Sequence, residues 1–340
     1  MSRASIYLFA AAVSFLLTPV VRMIAIRTGA MDIPKDQRRM HKKPIPRLGG
    51  LAIYISIILS TIIFVEPLTM EIQAMLLGAS VIVVSGLLDD TKGLTPTLKV
   101  IFQVIAAAIV MFGGIKVSYI SNFLGERGSV INIGLLSYPV SLLWIVGVTN
   151  AINLIDGLDG LADGVSAIAS LCLAVISFMF GNQEIGVLCL ILSGACSGFL
   201  PFNFNPAKIF MGDTGALLLG FMFSVITIEG VLKTAAAVAV AIPVLLLAVP
   251  ISDTFFAIIR RSLSGKSITT ADKGHLHHRI IALGYNHRET VLILYLMTLF
   301  FGVAAIVVSV IGGVLGNLLA IFLIVLMIIG AKRIGMFKSA

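Results

Sequence analysis

The segment Thr290-VLILYLMTLFFGVAAIVVSVI-Gly312 carries no charged residue between its ends. As a helix, its twenty-one internal residues would extend about 30 Å, the thickness of a bilayer's hydrocarbon core. Lipid gives a backbone no hydrogen-bond partner except itself, so a stretch this apolar and this long reads as a spanning helix.

Ten further apolar blocks lie on either side of it, roughly at 5–26, 48–65, 72–88, 97–115, 137–150, 163–180, 185–200, 214–230, 234–259 and 315–331. Hydrophobic residues make up 59% of the 340, and charged residues 12%, about half the share of an ordinary soluble protein. The expected fold is an all-α integral membrane protein of about eleven transmembrane helices. It is expected to form one polytopic domain over 1–340, with its inner loops of interest near 27–47, 89–96, 151–162, 201–213 and 260–289. The first block is long and lacks an Ala-x-Ala exit, so it reads as a retained span and not a cleaved signal.

Orientation follows from Lys and Arg in alternate loops. With the N-terminus outside, 20 of the 24 basic residues fall on the inner side, and only Arg3, Lys116, Arg127 and Lys233 fall outside. That places the C-terminus and the net charge of +8 on the cytoplasmic face. Nucleic-acid binding is excluded, because no basic surface exists apart from these loops. All ten Asp and all five His also map inside, whereas five of the six Glu map outside. Topogenesis is nearly indifferent to acids, so this split points to a site for a metal and phosphates. Cys172, Cys189 and Cys196 lie in apolar blocks without ligand spacing and read as core.

Five polar motifs carry the chemistry. Asp89-Asp90 closes the third block, where two carboxylates oppose each other and the negative end of the helix dipole. It is either a solvated helix stop or a cation site, with Mg²⁺, Lys92 or Lys99 as the counter-charge. In Asn153-Leu-Ile-Asp156-Gly-Leu-Asp159-Gly-Leu-Ala-Asp163, the polar residues recur every three or four positions, which in a helix puts them on one face. Asp213, in Met211-Gly-Asp-Thr-Gly215, suits either a helix N-cap or a Mg²⁺ ligand, and Asn205 and Lys208 beside it suit a nucleobase and a phosphate. His275-Leu-His277-His278-Arg279 lacks the partners of a closed zinc site and suits a diphosphate better, with Arg279 as a bidentate anchor. Lys43-Pro-Ile-Pro-Arg47-Leu-Gly-Gly50 is a stiff basic loop that can hold a lipid phosphate or serve only as a topogenic anchor. Asp253, within a block, is a functional suspect or the partner of Arg260 and Arg261.

In this order and topology the motifs resemble the polyprenyl-phosphate N-acetylhexosamine-1-phosphate transferase superfamily (glycosyltransferase family 4). The likeness is to its undecaprenyl-phosphate GlcNAc-1-phosphate branch, which starts teichoic acid and O-antigen chains. The resemblance implies transfer of N-acetylglucosamine 1-phosphate from UDP-N-acetylglucosamine to undecaprenyl phosphate with release of UMP. It also implies dependence on Mg²⁺, with Mn²⁺ as a substitute, a cytoplasm-facing site in the cell membrane, and a possible homodimer. It makes Asp89, Asp90, Asp156 and Asp159 catalytic, with Asp213 and Asp156 as metal ligands. Lys43, Arg47, Lys99, Asn153, Asn205, His275, His277, His278 and Arg279 are the substrate-binding candidates.

Two alternatives stay open. The phospho-N-acetylmuramoyl-pentapeptide transferase is a sister enzyme, but it typically reads His-His-His and Pro-Thr-Met-Gly-Gly where this chain has His-Leu-His-His-Arg and Pro-Arg-Leu-Gly-Gly. An ion-coupled secondary transporter also places acids in the membrane, although near its midplane and with inverted repeats, which are not evident here.

Overall fold

A computed structural model describes residues 2–33, 44–121, 130–232, 240–263, 265 and 274–336. Lys43 therefore lies outside the described residues.

Helix α1 (Arg3–Thr28) starts on a Ser2 side chain that accepts from the Ser5 amide, and it stops at Gly29, whose φ of 73° only glycine adopts freely. A two-residue antiparallel pair follows, β1 (Met31–Asp32) against β2 (Ile45–Pro46). Then come α2 (Gly50–Phe64), α3 (Met70–Lys92) and α4 (Pro96–Phe112). Thr69 and Thr95 cap α3 and α4, and Pro96 opens α4, where its missing N–H costs nothing. The short hairpin β3 (Tyr119–Ser121) and β4 (Val130–Asn132) leads to α5 (Ser137–Ile155), α6 (Leu161–Met179), α7 (Gln183–Asn203) and α8 (Gly212–Thr227). After a π-helical turn at Ile228–Leu232 come α9 (Ala241–Leu246), α10 (Ala248–Leu263), α11 (Leu276–Ala282), α12 (His287–Ile311) and α13 (Gly313–Arg333).

Eight of these helical segments are long and apolar enough to cross a membrane, and α2 and α4 are shorter apolar helices. The protein is thus an all-α, multi-pass integral membrane protein. Ten of the eleven expected blocks correspond to one helix each. The ninth, 234–259, does not form one continuous helix, because its described part breaks at Leu247 between α9 and α10. Pro250 accounts for the break: it lacks an N–H, and its ring would collide with the carbonyl of residue 246 in an unbroken helix.

Helix α8 is the centre of the bundle and packs against α2, α3 and α5. Glycines permit the approach. A methyl group at Gly50 would lie 2.1 Å from the Gly215 nitrogen, and one at Gly86 would lie 2.3 Å from Thr214 Cα. The side-chain amides of Gln103 and Asn150 bond reciprocally at 3.3 and 2.7 Å, tying α4 to α5. That pair sits one turn along α4 from Lys99. Helices α6, α7 and α12 form a second layer, whereas α13 shows most of its surface to the outside, as a lipid-facing helix should.

Candidate active site

The site is built around the first turn of α8. The segment just before it pairs with the end of the first loop: the Phe210 amide donates to Pro46 O (2.7 Å), and the Gly49 amide donates back to Phe210 O (2.9 Å). This short pairing fixes Arg47 above α8. Its guanidinium reaches Asp90 through Nε (3.0 Å) and Nη2 (2.7 Å), with Asp213 Oδ1 at 3.9 Å.

Asp90, at the end of α3, is buried. Besides Arg47 it accepts from the Asp213 amide (3.1 Å), the Thr214 amide (3.0 Å) and Thr214 Oγ1 (2.7 Å). It therefore caps α8 from another helix, satisfying amides that the helix itself leaves free. Asp90, expected with Asp89 to be catalytic, thus accepts from Arg47 and from the start of α8 at once. Asp89 faces elsewhere. Its Oδ1 accepts from the Leu94 amide (2.7 Å), and its Oδ2 lies 2.8 Å from Lys99 Nζ. The same ammonium is 2.5 Å from Asp213 Oδ2.

Oxygen atoms from Asp89, Asp90 and Asp213 lie within 4.8 Å of one another. The donor set is entirely carboxylate oxygen, which suits a hard divalent cation. Asp156 is not in this trio, although its charge is felt there. Burial first, then the negative charges of Asp213, Asp90 and Asp159, push its carboxyl up to about 8, with Arg47 opposing. An acid this crowded ionises readily only when further positive charge arrives.

The 153–163 motif does not form one helical face. Helix α5 ends at Ile155, a turn follows, and α6 begins at Leu161 after Gly160 at φ 78°. The turn is stapled from three sides. Asn203 accepts from the Gly160 amide (2.9 Å) and donates to Ile209 O (3.1 Å), while the Tyr295 hydroxyl donates to Gly160 O. Asp159 accepts from Asn205 Nδ2 (2.9 Å) and the Ala207 amide (3.1 Å). Asp163 lies fully buried in α6, on the far side of the turn.

These parts enclose a cavity of about 1080 Å³. Of the candidate residues, Arg47, Lys99, Asn153, Asp156, Asp159, Asn205, Asp213, His277 and His278 line it. Asp89 and Asp90 sit behind its wall. His275 and Arg279 do not line it: His275 is buried against Asp253, with Nδ1 to Oδ2 at 2.8 Å, and Arg279 lies near Gly335. Burial, with His278 adding to it, holds His277 down at about 3. At neutral pH it is therefore an uncharged imidazole.

The model of the family described as glycosyl transferase family 4 matches residues 72–231. A Bacillus subtilis (strain 168) protein, named a probable undecaprenyl-phosphate N-acetylglucosaminyl 1-phosphate transferase, is 44% identical over 86% of this chain and 81% of its own. The chain belongs to glycosyl transferase family 4. A decaprenyl-phosphate N-acetylglucosaminephosphotransferase of Mycolicibacterium smegmatis is 35% identical over 89% of this chain and 81% of that protein. A phospho-N-acetylmuramoyl-pentapeptide-transferase of Staphylococcus aureus (strain JH9) is 36% identical, over a smaller share: 65% of this chain and 74% of the relative.

The family 4 site also contains residues that sequence reasoning missed. Arg22 lines the cavity, and its Nε donates to Lys208 O at 3.1 Å. His287 lines it from the start of α12, and Arg288 beside it donates to Asn205 O at 2.9 Å. Arg22 and Arg288 looked like topogenic charges at helix ends, and nothing local marks them. The Asn203 staple had a signal in its place beside Asn205 in a motif already singled out.

Proposed function

We propose that this family 4 chain transfers N-acetylglucosamine 1-phosphate from UDP-N-acetylglucosamine to undecaprenyl phosphate, releasing UMP. The reaction would run at the cytoplasmic face of the cell membrane with Mg²⁺, for which Mn²⁺ can substitute. One observation carries the reading: Asp89 and Asp213 share the Lys99 ammonium, with Arg47 and Asp156 beside them, at a cavity of nucleotide-sugar size. The names of the Bacillus and Mycolicibacterium relatives support the sugar and the class of lipid acceptor. The lopsided basic count supports an N-terminus outside and a C-terminus inside.

The acceptor phosphate is already largely dianionic at pH 7, by analogy with phosphoserine, so a strong base is not required. One of its oxygens attacks the β-phosphorus of the donor. The bond from that phosphorus to the bridging oxygen breaks, and UMP leaves with the oxygen and the electron pair. The difficulty is bringing two anions together. Lys99 and Arg47 offset that charge from the wall, and Asp89, behind it, holds the Lys99 ammonium in place. Asp213, with Asp89 across the shared Lys99 ammonium, would hold the divalent cation, which when bound neutralises the diphosphate and stabilises the transferring phosphoryl group. Asp156 adds negative charge from outside that trio. His277, being neutral, gives the donor a hydrogen bond and no charge.

Purified protein with both substrates and Mg²⁺ should release one UMP for each lipid-linked sugar formed. A protein that releases no UMP would refute the reading, and a transporter would give that result. In competition, UDP-N-acetylglucosamine should be used in preference to the UDP-muramoyl-pentapeptide. Labelled phospho-sugar trapped on the protein without acceptor would replace the single displacement with an aspartyl-phosphate route.

A further inference from the structure

The carboxylate of Asp253 lies in α10, is 1% exposed and is absent from the cavity wall. Both of its oxygens are committed to consecutive residues across the chain. Oδ2 is 2.8 Å from His275 Nδ1, and Oδ1 accepts from the Leu276 amide at 2.7 Å. Leu276 is the first residue of α11, so the carboxylate grips that helix where its backbone amides are free.

The contacts continue toward the cavity. The His275 ring lies parallel to that of His277, 5.8 Å away with 4° between the planes, and His277 packs on His278 at 4.2 Å. On its other side His277 abuts the Asp156 turn: a methyl at Gly157 would stand 2.7 Å from His277 Nε2. Two turns further along α10, Arg260 packs against Gly274 and donates to Met336 O at 2.5 Å. Helix α10 thus touches residues 274, 275 and 276 in succession.

We propose that Asp253 is a positioning residue that docks α11, through His275 and the Leu276 amide, so that His277 meets the sugar-nucleotide donor. The Nδ1 bond to the carboxylate fixes the plane and tautomer of His275, and the parallel ring of His277 packs on that fixed plane. His275 then serves as a spacer between Asp253 and the donor-contacting His277, and does not itself contact substrate. This proposal rests on the transfer reading for its kinetic arm only.

The test compares wild type with Asp253→Ala and Asp253→Asn. The asparagine variant keeps an acceptor for the Leu276 amide but forces His275 into the other tautomer. Amide hydrogen exchange over 275–282 should quicken at least tenfold in Asp253→Ala and less in Asp253→Asn. The KM for UDP-N-acetylglucosamine should rise about tenfold in Asp253→Ala and about threefold in Asp253→Asn, with acceptor KM within twofold of wild type. Unchanged exchange, or a fall in kcat with donor KM unmoved, would overturn the proposal. If Asp253→Ala does not fold, the asparagine variant alone decides: unchanged donor KM and exchange would then overturn it. A wild-type protein that forms no product would sink the transfer reading, while the exchange comparison would still judge the docking.

Discussion

The Asp213 amide donates to the Asp90 carboxylate at 3.1 Å, yet the two side chains have different occupations. Asp213 lines the cavity and offers its carboxylate to Lys99, whereas Asp90 is consumed by Arg47 and the start of α8. Asp213→Asn should therefore cut turnover by roughly a thousandfold, the scale of losing one preorganised charge contact, with the Tm in detergent nearly unchanged. Asp90→Asn should lose stability as well, on the order of 3 kcal/mol for a broken buried ion pair. Equal Tm values for the two variants would contradict this division. His277 gives a pH signature. Burial holds its folded pKa at about 3, below the ordinary value of 6.5, so below 6.5 the unfolded chain binds the extra proton. Stability is then fully present above pH 6.5 and lost as pH falls toward 3, by about 1.4 kcal/mol per unit. Thermal unfolding from pH 7 to 5 should show wild type losing about 2 kcal/mol from this group, and His277→Gln should lose correspondingly less. The carboxylates of the cavity were legible as residue types because acids on the inner face have no topogenic reason to cluster. The separate task of Asp90 was not, because its partners Arg47 and Thr214 are 43 and 124 residues away. Likewise His275 reads as one of three histidines until Asp253 is seen beside it.

At the scale of elements, the site depends on how closely α2 and α3 approach α8. Gly86 lies one turn before Asp90, where α3 touches the backbone of Thr214. Gly86→Ala would force the two helices apart, because the neighbour is backbone and cannot rotate away. The strain should cost about 1–3 kcal/mol, and the separation would lengthen the Asp90 bonds to α8. Activity should fall further than stability alone explains, measured as turnover at a temperature where the variant remains folded. Full activity at a lowered Tm would show that the spacing is only structural. Most of the helices were legible, because runs of apolar residues long enough for a bilayer have few other fates. The ninth block reads as one span because hydropathy alone ignores Pro250, which breaks a helix without making it polar. The Asp156–Gly160 turn was misread as a helix face because a spacing of three to four is also compatible with a turn between two helices, and Gly157 and Gly160 decide for the turn.

At the scale of the whole molecule, the open question is which side of the membrane receives the donor. Cavity-lining residues come from β1, β2 and the residues flanking β2, from α11, and from the end-proximal turns of α1, α4, α5, α7, α8 and α12, so the motifs gather at one end of the bundle. The basic-residue count of the sequence, with 20 of 24 in alternate loops on one side, is the ground for expecting that end at the cytoplasm. The native thiols Cys172, Cys189 and Cys196 are all buried, which gives a nearly silent background for labelling. Single cysteines at exposed positions 132 and 285, made as Asn132→Cys and Tyr285→Cys, report the two ends. Asn132 lies beyond α4 on the far end of the bundle, and Tyr285 lies between α11 and α12 beside the cavity. A membrane-impermeant maleimide applied to intact cells should label position 132 and leave 285 unmodified until the membrane is permeabilised. The reverse pattern would put the site outside. It would also separate the carboxylate cluster from a nucleotide-sugar donor, which is made and kept in the cytoplasm, so topology and chemistry stand or fall together in this one measurement.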